Sequence, residues 1–296
     1  MSKIDLHNHS EYSLDGQYEV QYLMEQAKNA NLEVFAIADH NSVKGARIAN
    51  TIKEQYDFTF VNGIEIDCTY KGIELHLLGY GIDVNEPIFD EIENNIITQT
   101  KNNSRTYVDK ISELGIHVDI DMLNDKFPDG IFVAEDIAEI VLADSRNDNV
   151  EVLLPYRAGG NRSNAPFVNF YWDLCSQGKP AYAPMKFMTI ENAISIINKC
   201  NGISVIAHPA INFDGHDDYL EELLLNYVDG IEAYSSYHNE SQIKKYLELA
   251  QKHNKLVTVG SDFHGKTKPH ITIGMIEVEE EDVIIEQFIN ALKKLG

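Results

Sequence analysis

Short apolar runs in this 296-residue chain repeatedly end in side chains that bind metals. Residues 4–6 lead into His7 and His9, 34–38 into Asp39 and His40, 58–64 into Glu65, 202–207 into His208, and 256–260 into Asp262 and His264. Between the runs apolar residues recur at helical spacing, as in Val20, Leu23, Met24 and Ala27, or Ile243, Tyr246, Leu247 and Ala250. Alternating strands and helices predict a parallel sheet with helices outside it. In a β/α barrel the C-terminal ends of the strands carry the chemistry. Six of the eleven histidines fall at those ends or on the hairpin read at 65–80, which turns at Lys71-Gly72 and carries His76 on its return arm.

Residues two apart on a strand share a face, so His7 and His9 present two imidazoles to one point. Asp15 follows in a Ser/Gly-bearing loop that can curl back to that point. The full candidate set is His7, His9, Asp15, His40, Glu65, His76, His208, Asp262 and His264. Imidazole and carboxylate suit divalent transition metals. Six imidazoles and three carboxylates exceed the needs of one tetrahedral ion and suit two or three ions sharing a carboxylate. Asp39 reads as a group orienting His40 or capping the next helix, and Asp5 as a second support on the face of His7. His117, His216, His253 and His270 read as surface or core residues.

Composition closes off several classes. A formal charge of −23 argues against a general nucleic-acid surface, which gains from many Lys/Arg–phosphate contacts. No run approaches the roughly 18 apolar residues of a membrane span, and the N-terminus lacks an apolar signal region. Cys68, Cys175 and Cys200 are odd in number and widely spaced, which predicts buried thiols in a reducing, cytoplasmic setting.

The texture changes between the two barrel-like halves. Residues 86–114 form one long helical pattern stopped by Gly115, a second helix covers 135–143, and 157–164 (RAGGNRSN) is a locally basic loop. Residues 84–180 therefore read as a helical insertion, a substrate cap, within a barrel of 1–83 and 181–296. Trp172, with Phe170 and Tyr171, reads as insert core rather than a base-stacking platform. A strand over 271–278 and a closing helix over 283–295 complete the reading, with the acidic run 279–282 as a solvated face.

The motifs DLHNHS, SLDG, ADH, GIE, HLLGY, AHP and GSDFH resemble those of the PHP (polymerase and histidinol phosphatase) family of metal-dependent phosphoesterases. The match covers roughly 1–82 and 181–278. The helical insert, the YSSYH segment ending in His238, and Lys266 and Lys268 after GSDFHG are similar to the YciV/TrpH-like branch. The resemblance implies a distorted TIM-like (β/α)7 barrel with a helical insertion, holding two to three divalent ions (Mn, Fe or Zn). By analogy His7, His9, Glu65 and Asp262 would hold a first ion. Glu65, His76 and His208 would hold a second, and Asp15, His40 and His264 a third. A hydroxide between two ions roughly 3.5–4 Å apart would attack phosphorus in line with the leaving oxygen, placing Asp262 and His264 in the catalytic centre.

The substrate implied is a small phosphorylated metabolite, most readily a 3′,5′-bisphosphonucleotide or an AMP-like nucleotide; the net charge weighs against long nucleic acid, and no membrane partner is expected. Alternatives are a 5′–3′ exonuclease on short RNA, a cyclic-phosphate hydrolase, a histidinol phosphatase and a non-enzymatic metal-binding module. The branch commonly has an Arg-Pro-His-Ile-Ala stretch whose Arg contacts phosphate, and here that region reads Ile131-Phe132-Val133-Ala134. Arg105, Arg162 and Lys266 are the candidates to supply the missing charge. His238 is a candidate for substrate binding and for protonating the leaving group.

Overall fold

Strands that read as unbroken apolar runs are covered on both sides, and Val34–Ile37 and Ile203–Ile206 are buried at every residue. The computed structural model describes residues 2–295. In chain order its elements are β1 (Ile4–Asp5), α1 (Val20–Asn29), β2 (Val34–Ile37), α2 (Lys44–Ile52), β3 (Thr59–Tyr70) and β4 (Ile73–Tyr80). Next come α3 (Ile88–Glu113), α4 (Ile120–Lys126), α5 (Ala134–Ala143), α6 (Pro166–Phe170), β5 (Met188–Thr189) and α7 (Ile190–Lys199). The chain closes with β6 (Ile203–Ile206), α8 (Pro209–Asn212), α9 (Asp217–Asn226), β7 (Gly230–Ser235), α10 (Glu240–His253), β8 (Leu256–Gly260) and α11 (Glu281–Leu292).

The main strands run in the order β1-β2-β3-β4-β6-β7-β8, with β5 paired outside this path to β3. Every neighbour along the path is parallel except β4, which is antiparallel to both β3 and β6. The ends meet: Leu6 N–H donates to Val259 O at 2.8 Å, and Asp262 N–H to His7 O at 2.8 Å. This is the expected TIM-like seven-stranded α/β barrel, distorted by one reversed strand. Leu6, Ile64, Leu77, Val205, Ile231 and Val259 are fully buried in its main apolar cluster.

A second cluster gathers Val108, Ile111, Ile137, Val141, Leu153 and Phe170. α3 joins the two, since Phe89 and Ile92 near its start belong to the barrel cluster and Val108 and Ile111 near its end to the other. No described helix is long and apolar enough to cross a membrane, and the three cysteines are buried free thiols.

Two expectations are corrected. The run at 58–64 does not end at Glu65; β3 continues to Tyr70, so Glu65 lies mid-strand. The hairpin then turns on Lys71 (φ 47°) and Gly72 (φ 90°), the two positive φ angles that a tight two-residue turn demands. The segment 271–278 is irregular rather than a strand. Its backbone groups have other partners: Gly274 O accepts from Ser2 N–H, and Gly274 N–H donates to the Asp5 carboxylate at 2.8 Å.

Asp5 is a structural clasp. Its buried carboxylate also accepts from Ser261 N–H at 3.0 Å and from the Asn8 side chain at 3.0 Å, tying β1 to the end of β8 where the barrel closes. It touches no histidine ring among these contacts. Asp5→Asn removes an acceptor and turns an N–H towards other N–H groups, so it should cost about 1–3 kcal/mol. Thermal unfolding of the two proteins checks this, and an unchanged midpoint would contradict it.

Candidate metal centre

The barrel mouth collects donors from most of its strands. His7 and His9 leave β1, His40 follows β2, Glu65 faces inward from β3, and His76 enters on the reversed β4. His208 follows β6, and Asp262 and His264 follow β8. Asp15 arrives on a coiled loop in which a Cβ at Gly16 would lie 1.9 Å from Ser10 O, so only glycine permits the return. Thr267 Oγ1 donates to Asp15 O at 2.8 Å and fixes its far side.

Eight of the nine expected residues fall into shared donor sets, whereas Asp15 is in none of them and meets the cluster through His264, with His9 beside His40 and His264 where Asp15 was expected. His7 Nε2 lies 3.1 Å from Glu65 Oε2 and 3.4 Å from Asp262 Oδ1. His9 Nε2 lies 3.3 and 3.1 Å from the same two oxygens. Glu65 Oε1 is 3.0 Å from both His76 Nδ1 and His208 Nε2, while its Oε2 is 3.1 Å from His40 Nδ1. His264 Nε2 is 3.2 Å from Asp15 Oδ2. Donor sets with atoms within 4.8 Å of one another include His7/His9/Glu65/Asp262, Glu65/His76/His208 and His9/His40/His264.

Two observations show that these residues fit divalent cations. First, His7 Nε2, His9 Nε2, His40 Nδ1, Glu65 Oε2, Asp262 Oδ1 and His264 Nε2 are buried without a hydrogen-bond partner. Native interiors rarely leave one such atom unpaired, and here they share one point. Separations of 3.0–3.4 Å are what donors around a common ion impose on each other at bond lengths of about 2.0–2.2 Å. Second, the outer ring nitrogens are already engaged. His7 Nδ1 faces Glu232 Oε1 at 3.0 Å, and His208 Nδ1 faces Asn212 Oδ1 at 3.1 Å. His9 Nδ1 faces Ser13 Oγ at 2.9 Å, and that hydroxyl gives its proton to Asp39 Oδ1. Acceptors there place the ring proton outward and leave a lone pair facing inward, the arrangement that metal-binding imidazoles use.

Among the supporting residues, Glu232 and Ser13 are the ones that sequence reading missed. Glu232, fully buried on β7, accepts from His7 with one oxygen and from His208 N–H with the other at 2.8 Å. Gly260 makes room for it, since a Cβ there would lie 2.1 Å from Glu232 Oε1 and 2.3 Å from His7 Cβ. Asp39 does not touch the His40 ring or cap α2. It accepts from Ser10 N–H, Ser10 Oγ and Ser13 Oγ, and Ser13 Oγ in turn accepts from His40 N–H. Asp262 holds a left-handed backbone (φ 58°), a conformation that recurs at functional sites because surrounding contacts must enforce it. Lys268, nearly buried, pairs with its outer oxygen.

With protons as the only cations, burial and the carboxylates oppose each other. Burial pushes His7 and His40 down, but Glu65 and its neighbours outweigh it, holding His7 well above the usual imidazole range and His40 up at about 10. His9 goes the other way: burial, then the His264 and His40 rings, pull it down to about 3. Burial likewise opposes ionisation of Glu65, yet His7, His40 and His76 hold its carboxyl far below the usual range.

A cavity of about 170 Å³ opens on this cluster. Its lining combines Asp15, His40, His76, His208 and Asp262 with the aromatic side chains of Tyr107, Tyr171, Trp172, Tyr182 and Phe187. Trp172 is thus a cavity wall rather than insert core, and only Phe170 of that triplet is fully buried. The candidate phosphate ligands are elsewhere. Arg105 is exposed and pairs with Asp109 one turn on, and Arg162 grips Asp173 through both oxygens at 2.8 and 2.9 Å. Lys266 pairs with Glu139 at 2.6 Å. His238 is packed on Tyr246, with Nδ1 on Ala233 O and Nε2 towards Ala210 N–H. None of the four is among the residues lining the cavity.

A family model described as PHP domain matches residues 5–273. A phosphoribosyl 1,2-cyclic phosphate 1,2-diphosphodiesterase from Eggerthella lenta is 25% identical over 271 residues, 90% of this chain and 97% of that protein. A 3′,5′-nucleoside bisphosphate phosphatase from Chromobacterium violaceum is 25% identical over 281 residues, covering 94% and 92%. A 5′-3′ exoribonuclease from Haemophilus influenzae is 23% identical, covering 88% and 90%. Among solved structures, an amidohydrolase from Chromobacterium violaceum superposes with a TM-score of 0.77 at 24% identity, covering 98% of this chain and 97% of that one; it supports the fold.

Two outcomes follow from this geometry. Because His7 and His40 hold protons that a cation must displace, Mn²⁺ affinity should rise with pH and binding should release protons. Calorimetric titrations in buffers of different ionisation enthalpy test both, and pH-independent binding would refute the assignment. Glu232→Gln should weaken Mn²⁺ binding by about 10- to 100-fold, as loss of a histidine's outer carboxylate does, with Gly260→Ala acting in the same direction.

Proposed function

The chain belongs to the PHP domain family, and from that premise we propose that it is a metal-dependent phosphoesterase releasing phosphate from a small phosphomonoester with an aromatic group, an AMP-like nucleotide. The carrying observation is the cavity itself, whose lining brings the unpartnered atoms of His40, Asp67 and Asp262 together with several aromatic rings. We assign two to three ions to it. His7, His9, Glu65 and Asp262 hold the first, Glu65, His76 and His208 the second, and Asp15, His40 and His264 the third. Nitrogen and oxygen donors accept Mn²⁺, Fe²⁺ or Zn²⁺ alike. Such ions supply Lewis acidity, which polarises phosphoryl oxygens and acidifies water near neutral pH.

The protein's own groups do the rest. Glu65 reaches two donor sets at once through its two oxygens and sets their spacing. Glu232, Ser13 and Asn212 keep the ring protons outward, so the floor offers lone pairs to cations. Residues 84–180 act as a cap on the barrel of 1–83 and 181–296, and their aromatic side chains exclude water around the leaving group. Among the described residues Lys268 is the one Lys or Arg lining the cavity, and Asp262 already holds it. A second phosphate would find no unpaired cation there, which favours an AMP-like substrate over a bisphosphonucleotide. Buried free thiols favour a reducing, cytoplasmic setting.

The test is a panel with Mn²⁺: AMP, a 3′,5′-bisphosphonucleotide, cyclic phosphates, histidinol phosphate, glycerol phosphate and short RNA. Turnover of AMP above the others is expected, and metal-loaded protein that turns over none of them would sink the reading. Trp172→Ala should raise KM for AMP by about tenfold, in line with about 1–3 kcal/mol for stacking on a base, and leave glycerol phosphate nearly unaffected. Equal losses on both substrates would remove the aromatic wall from substrate selection.

A further inference from the structure

We propose that Asp67 is a further donor of the metal centre, facing a cation position between His40 and His76. Asp67 follows Glu65 by two residues on β3 and so points to the same side. In the ladder it lies directly opposite His76. Its Oδ1 is 3.3 Å from His76 Nε2 and 3.5 Å from His40 Nδ1. Those are contact distances, yet Oδ1 makes no hydrogen bond, and neither does His40 Nδ1, although both are buried. The three side chains form a donor set whose atoms lie within 4.8 Å of one another.

The carboxylate is also held for this purpose. Asn41, itself left-handed at φ 55°, accepts from Asp67 N–H at 3.0 Å and donates its amide to Asp67 Oδ2 at 2.7 Å. One oxygen is thereby fixed outward and the other aimed at the rings. A carboxylate whose task was to neutralise protonated histidines would hydrogen-bond to them; this one converges with their nitrogens on shared space. With Asp67, four carboxylates (Asp15, Glu65, Asp67 and Asp262) face the centre.

This inference rests on the reading of the cluster as a metal centre, and the experiment separates the two. Wild-type protein, Asp67→Asn and Asp67→Ser are stripped with chelator, checked by circular dichroism, then titrated with Mn²⁺ by calorimetry and counted by elemental analysis after dialysis. The expected result is loss of one equivalent, or at least tenfold weaker uptake, in whichever variant keeps the wild-type fold. Mn²⁺ uptake equal to wild type in number and affinity overturns the role of Asp67, including the case where only KM for a phosphoester changes. If wild-type protein takes up none of Mn²⁺, Fe²⁺ or Zn²⁺, the metal reading falls first and this inference with it.

Discussion

Six histidines and several carboxylates are packed at one barrel mouth closely enough to touch, and most of them face inward without hydrogen bonds. Unpaired buried charge is among the most expensive things a fold can contain. Much of the local architecture follows from that demand. Glu232, Ser13, Asn212 and Lys268 grip outer atoms of the cluster, and Asp39 holds Ser13 in turn. Left-handed backbone at Asn41 and Asp262 and the missing Cβ atoms at Gly16 and Gly260 are the local cost of bringing these groups so close.

The division of labour between floor and wall explains how an acidic chain can receive an anion. The chain carries a net charge of −23, whereas on the proposed reading phosphate would meet cations gathered by the cluster. The insert contributes aromatic rings rather than positive charge to the cavity. On the proposed reading attraction would reside with the metal centre and discrimination with the aromatic lining, and each could change without dismantling the other.

Much of this was legible in the sequence because the ligands sit where strand patterns end, and a β/α barrel gathers those ends. His7, His40, His208 and Asp262 were found on that logic. Glu65 reads as a strand end where one strand in fact runs through it to Tyr70; Asp67, two residues on in the hairpin arm, belongs to no motif, and only its register opposite His76 brings it to notice. Glu232 had a readable signal, a lone acid inside the apolar run Gly-Ile-Glu-Ala, but its partners lie 225 and 24 residues away and no local pattern names them. Arg105 and Arg162 illustrate the converse. Charge and location suggested phosphate, whereas Asp109 and Asp173 had already claimed them, and pairing across a loop or a helical turn is invisible to composition.

α3 has a mechanical consequence. As one 26-residue helix it extends about 39 Å, with one end rooted in the barrel and the other in the insert. A continuous rod of this kind resists bending, and it carries Tyr107 of the cavity lining on the same helix that is rooted in the barrel. On the proposed reading, fit to the cavity would depend on the size and thickness of the incoming molecule, with the register of a single helix as the gauge.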